Sequence, residues 1–108
     1  MEVKEVEFVY EPRSGCQIRH RHIRYKRQIT AFSVQLEVWH RGQWQPVVRY
    51  DTAHGFAHRD MIHADGRLEK TPLPLTHYND ALTFAETDLR VNASVYAERF
   101  LREAESHD

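Results

Sequence analysis

The chain has 108 residues, and its 41% hydrophobic and 29% charged side chains allow a hydrophobic core and exclude disorder by composition. A formal net charge of −1 argues against a nucleic-acid binder that relies on the charge of the whole domain. A single cysteine, Cys16, leaves no internal disulfide and no CxxC motif. No apolar run approaches the about 20 residues that cross a bilayer, and the charged first residues do not resemble a signal peptide. Composition therefore predicts one cytoplasmic domain over residues 1–108, with no membrane partner.

The first part of the chain alternates with a period of two, which predicts a strand over residues 2–10 and a turn over 11–15. The following segment, residues 17–27, is rich in arginine and histidine and predicts a basic strand or an exposed arm. As an RNA-binding arm it would supply cations to phosphate groups and one aromatic ring to stack on a base. The residues assigned to substrate binding on this hypothesis are Arg19, Arg21, Arg24 and Tyr25. The alternative is a charged edge strand, or one that pairs with an acidic helix.

The clearest strand pattern covers residues 30–38, where β-branched and aromatic side chains alternate with polar ones. A hairpin turn at Gly42 leads to a returning strand over 44–51, and Trp39 and Trp44 are expected to form a cross-strand pair. A shorter strand follows over 58–63. Residues 68–75 contain two prolines and are expected to be extended at a sheet edge.

From residue 76 to residue 105 the period changes to three or four, which predicts a long helix with Thr76 as its N-cap. At 1.5 Å per residue this helix would be about 45 Å long, longer than a small sheet is wide. It is therefore expected either to break near 92–94 or to project and form a homodimer. The fold class is α+β, with an antiparallel sheet of about four to five strands followed by one long C-terminal helix packed on it.

Ionisable side chains concentrate in the motif segment, residues 50–63. The first hypothesis is metal-free cleavage of a phosphodiester in RNA, because histidine exchanges protons near neutral pH and arginine stabilises charge on phosphorus. His54 and His58 would act as acid and base, Asp51 would orient one of them, and Arg59 would contact the phosphate. In an extended strand, His58 shares a face with Asp60, while Arg59 lies on the other face.

Two other interpretations of this segment remain open. The first is a divalent metal site formed by His54 and His58 with either Asp60 or His63. The second is structural, in which these side chains stabilise turns and pair across strands in a non-enzymatic domain that dimerises through its helix. No cofactor is predicted, and the metal site is the third hypothesis.

The segment Tyr50-Asp51-Thr52-Ala53-His54-Gly55, followed by His58-Arg59-Asp60, resembles a motif of a family of small uncharacterised prokaryotic proteins. The resemblance runs from about residue 32 through the predicted helix, including residues 78–85. The core of the motif is also similar to that of TumE-like toxins of bacterial toxin–antitoxin pairs, which are small and have strands leading to a helix. This second resemblance implies a toxin-like RNA-cleaving or RNA-binding protein whose partners are RNA and a cognate antitoxin protein.

Overall fold

A computed structural model describes residues 2–106 as an antiparallel sheet followed by two helices. The six strands follow one another in the sheet in chain order, so every strand pairs with its neighbour in sequence. They are β1 (Val3–Arg13), β2 (Cys16–Tyr25), β3 (Gln28–His40), β4 (Gln43–Asp51), β5 (His58–Ile62) and β6 (Leu68–Pro72). The helices are α1 (Tyr78–Val91) and α2 (Ala93–Ser106). The α+β class is confirmed, with six strands where four to five were predicted.

The predicted turn over residues 11–15 is wrong in its first half. Strand β1 continues to Arg13, with an irregular register between Tyr10 and Arg13, and the turn occupies Ser14 and Gly15. Strand β1 lies at the edge of the sheet, where Pro12 can be accommodated without its N–H. The segment predicted as a basic strand or arm forms strand β2, which pairs with both β1 and β3.

The single long helix is also corrected, because α1 ends at Val91 and α2 begins at Ala93. Asn92 has ψ of 16°, and its side-chain amide donates to Asp88 Oδ1 at 2.8 Å. Asparagine has a low helix propensity, and the break occurs where one of the two sequence alternatives placed it. Helix α1 is capped by His77, and Thr76 is not the N-cap.

The core lies between the helices and one side of the sheet. Its strand residues include Ile18, Val34, Leu36, Val48 and Tyr50, all at most 1% exposed. Their helical partners share one face of α1 and α2, and include Ala81, Ala85, Leu89, Ala93, Ala97 and Phe100. Because alternate side chains of a strand point to opposite faces, this packing defines a helix side of the sheet and leaves a second, polar face.

The first hairpin of the sequence analysis is confirmed in detail. Trp39 and Trp44 are cross-strand neighbours whose rings lie edge to face, with centroids 5.3 Å apart. The turn between them uses Gly42 at φ 79°, a conformation that glycine adopts without strain. No helix among the described residues is long and apolar enough to span a membrane.

Candidate functional site

The polar face of the sheet carries two rows of side chains that lie directly across the strands from one another. The first row runs over β2 to β6 and consists of Arg19, Gln35, Arg49, Asp60 and Lys70. The second row lies beside it and includes Arg21, Ser33, Asp51 and His58. The strand register thus places chemically active residues from the whole sheet on one surface.

Arg49 links the centre of this surface to its carboxylates. Its Nη2 lies 3.3 Å from Asp60 Oδ2, and its Nε lies 3.3 Å from Asp51 Oδ2. Its Nη1 also donates to Gln35 Oε1 at 3.2 Å. The two carboxylates are therefore held beside the same guanidinium, and Asp51 Oδ1 also accepts from the Ala53 N–H at 3.1 Å.

Glu37 forms a separate node of the polar face on the β2 and β3 side. It accepts hydrogen bonds from the side chains of Gln17, Gln35 and Arg19. Burial raises the pKa of Glu37, but these three donors outweigh it and hold the pKa below its ordinary value. Glu37 is thus a stably ionised carboxylate that orders the cationic end of the face.

Asp51, His58 and Asp60 form the only group of three metal-ligating side chains that converge within residues 2–106, with their ligand atoms within 4.8 Å of one another. His58 Nε2 lies 3.0 Å from Asp51 Oδ1 and 3.9 Å from Asp60 Oδ1. His58 is 1% exposed and Asp60 is 2% exposed. We call these three residues the Asp–His–Asp cluster.

Lys70 supplies a cation to this cluster from β6, directly across from Asp60. Its Nζ lies 3.3 Å from Asp60 Oδ1 and 3.2 Å from His58 Nε2. The side chain of Lys70 is 42% exposed, so the ammonium group reaches the cluster from the solvent side. The sequence analysis predicted both elements that form this contact, the short strand over 58–63 and the extended edge segment over 68–75. Only the register of β5 and β6 shows that Lys70 is the partner.

No protonation state of His58 satisfies all of its hydrogen-bonding partners. If Nδ1 carries the proton and donates to the Phe56 carbonyl at 3.4 Å, the Nε2 lone pair accepts from Lys70 but faces the Asp51 carboxylate. If Nε2 carries a proton, it donates to Asp51 but then faces the ammonium of Lys70. Every protonation state of His58 leaves one unfavourable contact at Nε2. His58 Nε2 therefore lies between one carboxylate and one ammonium, whose demands on it conflict.

The loop before β5 places His54 close to the cluster. Gly55 has φ 83°, which permits the tight bend between His54 and Phe56. The His54 ring is exposed, and its centroid lies 5.5 Å from that of His58. The structure therefore brings together Asp51, His54 and His58 of the four predicted catalytic residues.

The fourth of these residues, Arg59, lies on the opposite side of the sheet. It is the cross-strand neighbour of Tyr50 and lies beside the hydroxyl groups of Tyr50 and Tyr96. Both hydroxyls donate to Asp88 Oδ2 at 2.7 Å. Burial and the bond to Asp88 raise the pKa of Tyr96 to about 12, so these phenols remain protonated donors. Arg59 thus joins the sheet to the helices and cannot share one bound phosphate with His58.

The predicted substrate-binding residues are also divided between the faces. Arg19 and Arg21 lie on the polar face, where Arg19 pairs with Glu37 and Arg21 pairs with Glu5. At about 4.8 Å between strands, Arg19 is roughly 14 Å from Asp60, three strands away in the same row. Arg24 belongs to the helix side, and Tyr25 ends the strand with Lys26 Nζ 5.4 Å from its ring centroid.

His63, proposed as an alternative metal ligand, belongs to another cluster. Its Nδ1 lies 2.7 Å from Glu103 Oε2 and its Nε2 lies 2.6 Å from Glu69 Oε2. These two carboxylates raise the pKa of His63 above its ordinary value of 6.5. Its bonds tie the end of β5 to β6 and α2, so this histidine holds structural elements together.

Comparison with protein families gives a match that includes the motif segment, the helices and also the first strands. The sequence profile of a domain of unknown function, DUF7718, matches residues 1–106. No curated protein and no solved structure matches the chain significantly. With its match over nearly the whole chain, this protein belongs to the DUF7718 family.

Proposed function

We propose that the protein binds a divalent transition-metal ion through Asp51 Oδ1, His58 Nε2 and Asp60 Oδ1. The observation that carries this proposal is the unsatisfied hydrogen bonding at His58, where three potential ligand atoms converge and the Lys70 ammonium contacts only His58 Nε2 and Asp60 Oδ1. A metal ion at that position satisfies the imidazole lone pair and both carboxylates at once. It does so without the conflict that Lys70 leaves at Nε2.

The separations of His58 Nε2 from the two carboxylates are compatible with one ion. Metal–ligand bonds to imidazole and carboxylate are about 2.0–2.2 Å, so two ligand atoms of one ion lie at most about 4.4 Å apart. His58 Nε2 is within that limit of both Asp51 Oδ1 and Asp60 Oδ1. Around the cluster, the Phe56 carbonyl accepts from Nδ1 and Arg49 bonds the outer oxygens, as the surrounding groups of metal sites do.

One imidazole and two carboxylates suit Zn²⁺, Mn²⁺ or Fe²⁺ better than Mg²⁺, which prefers oxygen ligands and bound water. Three protein ligands also leave at least one coordination position for water or a substrate oxygen, as in catalytic zinc sites. The exposed His54 ring beside His58 is the nearest additional acid or base for such a substrate. The proposed activity class is therefore metal-assisted chemistry at the edge of the polar face.

The decisive experiment compares metal binding by the wild-type chain and the Lys70→Ala variant. After treatment with chelator, each is titrated with ZnCl₂ and with MnCl₂ in a calorimeter. Because the ammonium competes for the same acceptor atoms, we expect Lys70→Ala to bind the ion at least about tenfold more tightly, equivalent to about 1.4 kcal/mol. A purely structural ion-pair cluster would lose stability in this variant and gain no metal affinity.

Two further variants locate the site. Asp51→Asn should abolish saturable binding, since Asp51 supplies one of the three ligand atoms and is exposed enough to tolerate the change. His63→Gln is the control, because it also breaks a histidine–carboxylate pair but lies outside the cluster. Absence of saturable binding to both wild type and Lys70→Ala, with unchanged circular dichroism spectra, would contradict the proposal.

A second candidate function is the acid–base cleavage of RNA by a toxin-like protein. The Asp51–His58 contact at 3.0 Å next to the exposed His54 favours it. In that arrangement the carboxylate orients one histidine while the two histidines exchange protons with the substrate. Expression of wild type and His54→Ala at equal levels in a bacterium tests it. Growth arrest by the wild type alone, with degraded RNA, supports this candidate, and normal growth of both opposes it.

The homodimer through the C-terminal helix stays a prediction, and its test requires substitutions of exposed residues. Leu89 is fully buried in the core, so Leu89→Asp would unfold the chain regardless of oligomeric state. Val91 and Val95 are exposed and lie on either side of the helix break. The double variant Val91→Glu and Val95→Glu should convert a dimer to a monomer in sedimentation experiments while the fold is retained.

A further inference from the structure

A second group of histidines lies on the helix side of the sheet, on the first strands. His20 and His22 are two residues apart on β2, so their side chains share a face. His20 Nδ1 bonds to Glu86 Oε1 of α1, and His20 Nε2 lies 2.6 Å from His22 Nδ1. Tyr10 donates to the other oxygen of Glu86 at 2.6 Å. We call Glu86, His20 and His22 the histidine relay.

The hydrogen bonds of the relay close with one assignment of protons. Burial raises the pKa of Glu86, but the bonds from His20 and Tyr10 outweigh it and keep Glu86 ionised. His20 Nδ1 then donates to Glu86, and its Nε2 lone pair accepts from His22 Nδ1. In this arrangement the proton of neutral His22 is on Nδ1, so its Nε2 carries a lone pair. Residues 2–106 contain no hydrogen-bond partner for that atom.

The groups around His22 make its surroundings positive. Arg24 follows on the same face of β2, and Lys4 of β1 is directly across from Arg24. Glu86 is the one carboxylate bonded into the relay, and Arg90 lies close enough to affect its ionisation. Val6 and Phe32 are the cross-strand neighbours of His22 and bring no charge. Burial, His20 and Arg24 lower the pKa of His22 and outweigh the opposing effect of Glu86, so the ring is neutral near pH 7.

We propose that His22 Nε2, Arg24 and Lys4 form a binding site for a phosphate group, and that His22 takes up a proton when the ligand binds. A phosphate carries two negative charges and several acceptor oxygens, which match two cations and one imidazolium donor. The ligand's charge offsets the effects of burial and of Arg24, which disfavour protonation of His22. The proton comes from the buffer and is added to Nε2, while Nδ1–H and the relay behind it remain unchanged.

The relay gives His20 and Glu86 a positioning role in this site. His20 accepts a hydrogen bond from His22 Nδ1–H. This bond keeps a lone pair on His22 Nε2, which can receive a proton and then donate to a phosphate oxygen. Glu86 in turn holds the tautomer of His20. The site is independent of the Asp–His–Asp cluster, since it lies on the other face of the sheet and shares no residue with it.

Calorimetry with inorganic phosphate tests the proposal directly. Titrations at about pH 7.5 in two buffers of different ionisation enthalpy report the number of protons taken up on binding. We expect saturable binding in the millimolar range with uptake approaching one proton. Oligonucleotides with and without a 5′-phosphate then distinguish a terminal phosphate from a phosphodiester as the natural source.

Variants assign the effect to the site. We expect Arg24→Gln to weaken phosphate binding about tenfold or more, and His22→Gln to remove the proton uptake as well. Arg21→Gln is the matched control, because Arg21 is on the same strand but faces the other way and pairs with Glu5. Nitrogen-detected spectra of the histidine rings should show neutral His22 protonated at Nδ1.

Three results would overturn the inference. The first is no saturable binding of phosphate by the folded wild-type chain at concentrations of about 50 mM, far above ordinary affinities for such sites. The second is binding that Arg24→Gln and His22→Gln leave unchanged, which would indicate contact elsewhere. The third is His22 protonated at Nε2 in the free chain, since the relay would then run in the opposite direction.

Discussion

His20 on the helix side and His58 on the polar face are both almost fully buried, and each has a carboxylate at one ring nitrogen. Around His20 every donor meets an acceptor, and one assignment of protons satisfies the chain from Tyr10 to His22. Around His58 the same nitrogen faces both a carboxylate and an ammonium. A buried histidine whose hydrogen bonds are all satisfied fixes the tautomer of its neighbour. A buried histidine whose ring nitrogen faces competing partners has a conflict that a bound cation would relieve.

His63 is a third arrangement, with a carboxylate at each ring nitrogen. Both nitrogens can donate only when the ring is protonated, so the two carboxylates favour the charged form of this histidine and raise its pKa. The three histidines differ in the partners that neighbouring strands and helices bring to them. Those partners, rather than the histidine itself, determine which chemistry each site supports.

The largest effect on the free energy of unfolding is expected from removing a charge in the Asp–His–Asp cluster. Asp60→Asn leaves Arg49 and Lys70 beside a neutral side chain in a position that is 2% exposed. Breaking a buried ion pair costs about 3–5 kcal/mol, and because both cations reach solvent we expect about 3 kcal/mol. Urea denaturation followed by circular dichroism measures the loss. Glu98→Gln, an exposed helical change, is the control, and an equal effect in both variants would remove the distinction.

The closed relay should respond to the loss of its central acceptor. Glu86→Leu leaves the buried His20 donor and the Tyr10 hydroxyl without a partner, so we expect a loss of about 2 kcal/mol in the free energy of unfolding. Glu86→Gln retains one acceptor oxygen and should lose less. The same denaturation experiment compares them. If Gln is as harmful as Leu, charge and not hydrogen bonding stabilises the relay.

The contacts of His63 with Glu69 and Glu103 predict a pH dependence of the free energy of unfolding. The folded pKa of His63 is raised above 6.5, so its contribution is complete below that pH and is lost as pH rises through the raised value. The pKa values of Glu69 and Glu103 are lowered below 4.5, so their contribution is present above that pH and is lost as pH falls through the lowered values.

The stability difference between wild type and His63→Gln should therefore be greatest between about pH 4.5 and 6.5. It should shrink well above and well below that window. Denaturation midpoints measured across pH test this. A difference that is constant with pH would show that packing, and not the ion pairs, accounts for the role of His63.

The smallest effect is expected at the exposed end of the polar face. Arg21 and Glu5 form an ion pair whose side chains are both about half exposed. Exposed pairs contribute little, so Arg21→Gln should change the free energy of unfolding by less than about 0.5 kcal/mol. A thermal melt compared with wild type is sufficient. A larger loss would mean that the network on this face is more cooperative than its exposed contacts suggest.

Much of the local structure could be predicted from periodicity. The alternation over residues 30–38 identified a strand with one apolar face, and the change of period after residue 76 identified the helical segment. The same rule placed His58 and Asp60 together and Arg59 opposite them. The strand boundary at Arg13 was harder to predict, because an edge strand tolerates Pro12, whereas the break at Asn92 agreed with one of the two alternatives.

The partners of the candidate sites could not be predicted in the same way. Lys70 lies beside Asp60 only because the β5–β6 turn sets that register, and Glu86 meets His20 only because α1 packs over β2 and β3. Tyr50 in the motif segment bonds to Asp88, which is 38 residues away. None of these contacts leaves a local signal in the sequence.

The sequence by itself determined which side chains share a face of each strand and helix, because that follows from backbone geometry alone. Only the tertiary structure decided which faces meet and in what register, because pairing depends on turns, bulges and the burial of the whole core. It separated the predicted catalytic residues, leaving Arg59 with the helices and Asp51, His54 and His58 on the polar face. Chemistry in this fold is therefore set by cross-strand register, which joins residues that the sequence keeps apart.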